Sequence, residues 1–370
     1  MSMKNDTTLK KLTIATAAML TGCLTIFNVL APKTDFSANE NRYLAPFPSL
    51  APSNVFSGNF DEQFESWFSD HFIRRDQWIR TKADMRRDVG AIENNGIYLC
   101  KNKQLIQSFT NLDQDNLNNN ISYVNEFNDE LKQKVNVMIV PSAAWGDSEN
   151  LPAGAYNLNE KKIIESIKAK MPDVNFLDLS DDMTAEENLY FRTDHHWNEK
   201  GAYLGYEKIC EDVLDKEPEK FSYEKVSDDF KGTLYSKSGC FDLSGDPLYK
   251  IVPENDNQVT LELEDGTVLH SLYVDKNLEI KDKYTYYLDG NHAYEKITTS
   301  VDNGKKALII KDSYAHILVP YLAQEYSEIQ LVDLRSYRQA ASDLVDDDTD
   351  VYILYSLNEF AAGKNLAALW

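Results

Sequence analysis

Asp194, His195, His196 and Trp197 stand side by side in the stretch FRTDHHW, which holds two of the chain's six histidines. Residues of these types admit two chemistries. Asp194, His195 and His196 could all ligate a metal. Alternatively, a carboxylate orients an imidazole, which draws a proton from a nucleophile elsewhere in the chain. Asp194 and His196 are two positions apart, so an extended loop puts their side chains on one side and His195 on the other. That alternation favours the acid–base reading. Adjacent histidines converge on one ion only where the backbone bends, and no further His or Cys cluster lies near in sequence. No metal and no cofactor are expected.

The acid–base reading needs a nucleophile. In KKALIIKDSYAHILVPYLA, Lys305 to Ala323, an apolar run at Ala307–Ile310 reads as a buried strand and Tyr314–Gln324 as the helix after it. Asp312 and Ser313 fall between them, at the carboxyl end of the strand, where such sheets place active sites. The N–H groups of Ser313 and its neighbours would point from the helix start toward an oxyanion. The plainer alternative is that Ser313 only caps that helix.

Elements able to hold these residues alternate along the chain. Strands are expected at Val135–Val140, Val174–Leu179, Ala307–Ile310, Ile329–Val332 and Val351–Tyr355, and helices at Asn111–Lys134, Lys161–Lys170, Asn198–Leu214, Tyr314–Gln324 and Ser336–Leu344. Ile97–Phe109 reads as a hairpin turning at Lys101–Lys103. The pattern predicts an α/β fold, a parallel sheet with helices on both faces. Residues from about 216 to 304 are polar and rich in Thr, Tyr and Val, and read as a β-rich insertion beside that core. Its tyrosines, Tyr273, Tyr284, Tyr286 and Tyr287, read as packing residues or as a surface for stacking sugars.

The remaining segments bound the setting. The chain has 370 residues and a net charge of -22, which excludes a nucleic-acid partner because phosphate would be repelled. Lys4, Lys10 and Lys11 precede the uncharged run Leu12–Ala31, long enough to span a bilayer and so placed that the rest of the chain lies outside the cell. LTGC, ending at Cys23, allows a processed lipoprotein as the alternative. The expected organisation is a cytoplasmic 1–11, a signal anchor at 12–31, a stalk and amphipathic helix over 32–95, and a catalytic domain from 96 to 370. Phe60, Phe64, Trp67, Phe68, Phe72 and Ile73 recur at helical spacing and predict one helix packed on that domain, a membrane-surface helix being the alternative that its acidic first half disfavours. At most one disulfide can form among Cys100, Cys210 and Cys240.

TDHHWNEKGAY (Thr193–Tyr203) followed by IIKDSYAHILVPYLAQEYSEIQLVDLR (Ile309–Arg335) resembles the DHHW family of bacterial surface proteins, related to the SGNH-hydrolase-like alginate O-acetyltransferases of the AlgJ and AlgX type. ENRYLAPFPSL (Glu40–Leu50), WFSDHFIRRDQW (Trp67–Trp78) and GTLYSKSG (Gly232–Gly239) resemble further segments of these proteins. The resemblance implies that Ser313 is the nucleophile, His196 the base and Asp194 its orienting carboxylate. Asp312, His195, Trp197 and Lys311 then support them. It further implies acetyl transfer from a polytopic membrane O-acyltransferase to an extracellular polysaccharide. A carbohydrate acetyl esterase with the same triad and a non-catalytic polysaccharide-binding scaffold are the alternatives. Lys311 departs from the family pattern, standing where a glycine would precede Asp-Ser. No further oxyanion donor is assignable from a family motif, Asn358 being the one candidate.

Overall fold

The computed structural model describes residues 2–255 and 257–369, so Met1 and Trp370, at the outer ends of the first and last expected segments, lie outside it. The chain forms two compact bodies, one running through Asp88 with Gly239–Phe241 added, the other comprising Val89–Ser238 and Asp242 onward.

In the larger body eight strands form one sheet: β1 (Asn136–Val140), β2 (Asn175–Leu177), β3 (Val259–Leu263), β4 (Val268–Leu269), β5 (Tyr294–Thr299), β6 (Lys306–Lys311), β7 (Glu328–Val332) and β8 (Thr349–Ser356). Their spatial order is β4-β3-β5-β7-β6-β8-β1-β2. From β7 to β2 neighbouring strands are parallel, while β5, β3 and β4 extend the sheet antiparallel. The 216–304 region divides: Phe221–Phe230 and Asp246–Pro253 pair as a ribbon apart from this sheet, and its other strands join it. Three of its strands complete the sheet, because Leu261, Leu263 and Ile297 alternate with polar residues and add an apolar face to it.

The parallel strands are apolar on both faces and are covered on both. Met138, Ile309, Tyr352 and Leu354 join the core beneath the helices Glu199–Ile209 and Ala315–Leu322. Val137, Ile139, Leu308, Ile310, Val351 and Ile353 face the opposite core, under the helix Gln114–Glu130. Two of these helices start where a polar side chain satisfies their first N–H groups. Asp113 accepts from Asn116 N, and Asn198 accepts from Lys200 N at 3.0 Å and Gly201 N at 3.3 Å. The expected helix at Ser336–Leu344 does not form. Only Ala341–Leu344 makes a 3-10 turn, and Asp333 takes up the segment's start by accepting from Ser336 N, Tyr337 N and the Arg335 side chain through its backbone and carboxylate oxygens. The hairpin lies where expected, Ile97–Leu99 against Leu105–Gln107. No disulfide links the described cysteines.

The smaller body begins with the helix Ser2–Leu30. Within it Thr8–Asn28 is long and apolar enough to cross a membrane by length and composition, with mean hydropathy 1.3. Ala31, expected inside the span, follows the helix. The aromatic stretch is two helices, not one. Asn59–Asp70 ends before a turn in which Arg74 takes a positive φ of 55°, and Arg75–Asp88 continues in a new direction.

Candidate active site

Ser313 lies just beyond β6, and its position is fixed by Asp312. One carboxylate oxygen of Asp312 accepts from Tyr314 N at 2.9 Å; the other accepts from Ser356 N and Ser356 Oγ, each at 2.8 Å. The turn is thus tied to the end of β8. The expected run of N–H groups pointing outward at this helix start is not present. Tyr314 N is held by Asp312, Ala315 N by Asp312 O and His316 N by Ser313 O.

Thr193–Trp197 brings the other residues. The loop is bent, not extended, closed by a bridge between Tyr190 and Trp197 and by Phe191 N donating to His196 O at 3.2 Å. His195 consequently does not point away from Asp194. Its ring lies 3.9 Å from that of His196, and its Nδ1 is 3.5 Å from Asp194 and 2.7 Å from Thr233 Oγ1. His196 Nδ1 is 2.5 Å from Asp194 Oδ1, and its Nε2 is 2.7 Å from Ser313 Oγ. A continuous line therefore runs from carboxylate through imidazole to hydroxyl. Such a line can remove the hydroxyl proton as an electrophile approaches, while the carboxylate stabilises the imidazolium.

Asp194 is buried, and burial alone would raise its pKa. The two imidazoles overcome this and hold it well below the usual carboxylate range. Its second oxygen accepts from Thr233 N at 2.6 Å and Thr233 Oγ1 at 3.1 Å. Gly232 makes that approach possible, since a Cβ there would lie 2.1 Å from Asp194 Oδ2. Burial, and then the neighbouring His195, lower the pKa of His196, so it rests neutral and able to accept a proton. Burial would also lower that of His195, but Asp194 outweighs it and raises the pKa.

Aromatic rings fix the imidazole plane. Tyr284 stacks on His196 at 4.0 Å and 10°, and its hydroxyl donates to Ser313 O at 3.0 Å. Tyr284, Tyr286 and Tyr287 are buried, so the packing reading holds for them and the sugar-stacking one does not. Trp197, fully buried, donates from its indole N–H to Tyr314 O at 2.9 Å, joining loop to turn. Its slot exists because residues 201 and 205 are glycines. A Cβ at either would come within 2.9 Å of the Trp197 side chain.

Lys311 is fully buried. Its Nζ is 3.2 Å from Glu295 Oε2, reached across β7 from β5, and 2.8 Å from His316 Nε2. Burial, followed by the Lys311 charge, holds the pKa of His316 well below its ordinary value, so its ring is neutral and accepts from the ammonium. Lys311 is accommodated by a carboxylate that the 216–304 region supplies.

A cleft of about 450 Å³ opens over Ser313, lined among others by His195, Lys237, Arg335 and Asn358. The Oδ1 of Asn358 is buried without a partner. Asp194, His195 and His196 also place one possible metal-ligating atom each within 4.8 Å of one another. Both ring nitrogens of His196 already have partners, so an ion there would compete with Asp194 or Ser313. The sequence did not mark Thr233 as a site residue, and it marked Tyr284 as a packing or sugar-stacking residue and not as a partner of His196 and Ser313. The only signal for Thr233 was its place in GTLYSKSG.

The comparisons with known proteins agree with this arrangement of motifs. The family described as "DHHW protein" matches residues 98–332, and the chain belongs to that family. A DHHW family protein from Eubacterium siraeum is 27% identical, with a TM-score of 0.65 over 75% of this chain and 96% of that one. PatB1 of Bacillus cereus, also solved with a sulfonyl adduct, is 23% identical, with a TM-score of 0.61 over 72% of this chain and 98% of that one. The O-acetyltransferase domain of Pseudomonas putida AlgJ is more distant, at 16% identity and TM-score 0.47 over 74% of this chain and 94% of that one. No curated protein matches the sequence. The fold is thus the α/β fold with a parallel sheet covered by helices on both faces that the sequence implied, shared with the DHHW family protein and with PatB1.

Proposed function

We propose that the protein is a membrane-anchored, extracytoplasmic O-acyltransferase that acetylates a cell-surface or secreted polysaccharide through a Ser313–His196–Asp194 triad. The observation that carries this reading is the unbroken line of hydrogen bonds from Asp194 Oδ1 to Ser313 Oγ. Ser313 Oγ attacks the acyl carbonyl while its proton passes to His196 Nε2. The tetrahedral oxyanion is received by the Ser313 N–H and the side-chain amide of Asn358. Collapse of the intermediate breaks the bond to the donor, which leaves with the proton from His196. A sugar hydroxyl then gives its proton to His196 and attacks the seryl ester, releasing acyl sugar and restoring Ser313. Asp194 stays ionised throughout, and Thr233 and Tyr284 hold the carboxylate and imidazole in place.

The span Thr8–Asn28 supports the anchor, with Lys4 ahead of it and Lys10 and Lys11 in its first turn setting the orientation. A tethered domain would stay beside a polytopic membrane O-acyltransferase acting as acetyl donor. The resemblance to alginate O-acetyltransferases supports the choice of a polysaccharide acceptor.

The test uses the full chain in detergent, wild type and Ser313→Ala, given an activated acetyl ester with and without oligosaccharide. Mass spectrometry should find acetylated sugar and an acetyl-Ser313 peptide from the wild type alone. Free acetate with no acetyl sugar at saturating acceptor would replace transfer with hydrolysis. Equal behaviour of the two proteins would overturn the triad and leave the scaffold.

A further inference from the structure

The smaller body carries an aromatic ladder that the catalytic chemistry does not use. Ring contacts run Phe60–Phe64 at 5.9 Å, Phe64–Phe68 at 6.2 Å, Phe68–Phe72 at 5.6 Å and Phe72–Trp78 at 6.4 Å. The ladder thus passes from the helix Asn59–Asp70 across the turn into the helix Arg75–Asp88. Much of it is in solvent: Phe64 and Phe68 are each 38% exposed and Trp78 56%. On the first helix the rings occupy an arc of roughly 100°, and Asp61, Glu62 and Glu65 fall outside it. The acidic residues of that helix therefore do not oppose an apolar contact made by its other face. On the second helix Trp78 and Met85 share a face seven positions apart, flanked by Lys82 and Arg86. Met85 is 63% exposed.

Two further observations say what covers this surface. The turn between the helices is fastened to the end of the candidate membrane span. Asn28 Oδ1 accepts from Ile73 N at 2.8 Å, and Lys33 Nζ donates to Asn28 O at 2.7 Å and His71 O at 2.8 Å. The ladder is therefore tied, where it crosses the turn beside Phe72, to the end of the candidate span. The charge is also segregated. In a chain of net charge -22, residues 74–88 hold six basic side chains and three acidic ones. Interfacial helices have this composition, with Trp and Phe at headgroup depth and Lys and Arg against anionic lipid.

We propose that the two helices lie on the outer surface of the membrane that Thr8–Asn28 crosses, with the Phe60-to-Trp78 ladder at the headgroup boundary and Lys82 and Arg86 on anionic lipid phosphates. This rests on the membrane span of the proposed function and is independent of the triad. It gives the smaller body the role of a plate that fixes the height of the chain above the bilayer.

Spin labels test it in the full chain, carrying Cys23→Ser and reconstituted into vesicles of phosphatidylcholine with and without phosphatidylglycerol. Labels at Phe68→Cys and Met85→Cys should be accessible to oxygen and shielded from a water-soluble nickel complex. A label at Glu62→Cys should be open to nickel. Replacing Lys82 and Arg86 with Gln should move the Met85 label toward water and remove its dependence on phosphatidylglycerol. Nickel-accessible labels at Phe68 and Met85 would overturn the proposal. Labels shielded from both reagents would also overturn it, in favour of helices packed on protein. A label at Leu20→Cys separates the two failures: if it too is in water, the anchor reading has failed, and if it lies in lipid, only the surface contact has.

Discussion

The loop Thr193–Trp197 is held by hydrogen bonds that its neighbours supply. Asp194 receives Thr233, the Thr193 hydroxyl donates to Asp246 at 2.7 Å, and Gly232 leaves the space for it. The turn Lys311–Tyr314 instead stands on charge removed from water, with Lys311 and Glu295 both fully buried beneath it. The first arrangement also buries carboxylates, Asp194 and Asp246, and depends on hydrogen-bond geometry at a few tenths of an ångström to compensate them. The second is insensitive to small shifts but carries the full desolvation of two ions. Losses in the loop should therefore appear in rate, and losses under the turn in stability.

The largest expected effect is in the loop. Asp194→Asn should cut acyl transfer by roughly 10⁴-fold, because the amide cannot hold the imidazole in the tautomer that accepts a proton. Circular dichroism and the urea midpoint should stay close to wild type, and a collapse of both would erase the distinction between loop and turn. Under the turn, Lys311→Met should cost about 3–5 kcal/mol in urea unfolding by leaving Glu295 buried and unpaired. Adding Glu295→Leu should recover most of that loss; failure to recover would mean that the lysine acts through something other than the pair. Asn358→Ala should lower kcat by about 10²-fold with KM little changed, as expected for a donor used only in the transition state.

The smallest effect concerns pH. The proposed transfer requires neutral His196, whose pKa is lowered by burial and then by His195. The acid limb of the rate profile should therefore have its midpoint below 6.5, the ordinary histidine value. His195→Gln removes the neighbouring cation, so the midpoint should rise toward 6.5 with a modest loss of rate. An unchanged midpoint would show that burial alone sets it.

The parallel strands and the residues they present were legible because buried strands read as continuous apolar runs, as Ala307–Ile310 and Val351–Tyr355 do. Asp194, His196 and Ser313, which the chain brings within hydrogen-bond reach, were legible from residue type and from where such residues sit on such a sheet. The bend that turns His195 back toward Asp194 was not, since it is set by the bridge between Tyr190 and Trp197 and by Thr233, far along the chain. Glu295 was equally hidden. A lone glutamate on a polar strand looks like a surface residue until β5 is known to lie two strands from Lys311. The 336–344 segment has the periodicity of a helix, but Asp333 satisfies its N–H groups in another way.

Trp197 gives the two halves of the site a common fate. Its indole sits in the slot left by Gly201 and Gly205 and holds the Tyr314 carbonyl. Any local opening that withdraws the loop from the turn takes the base from the serine in the same motion, and a serine hydroxyl without its base is unreactive. On warming, the enzyme should fall silent as a unit and recover as a unit on cooling, with no interval in which an armed nucleophile acylates the wrong target.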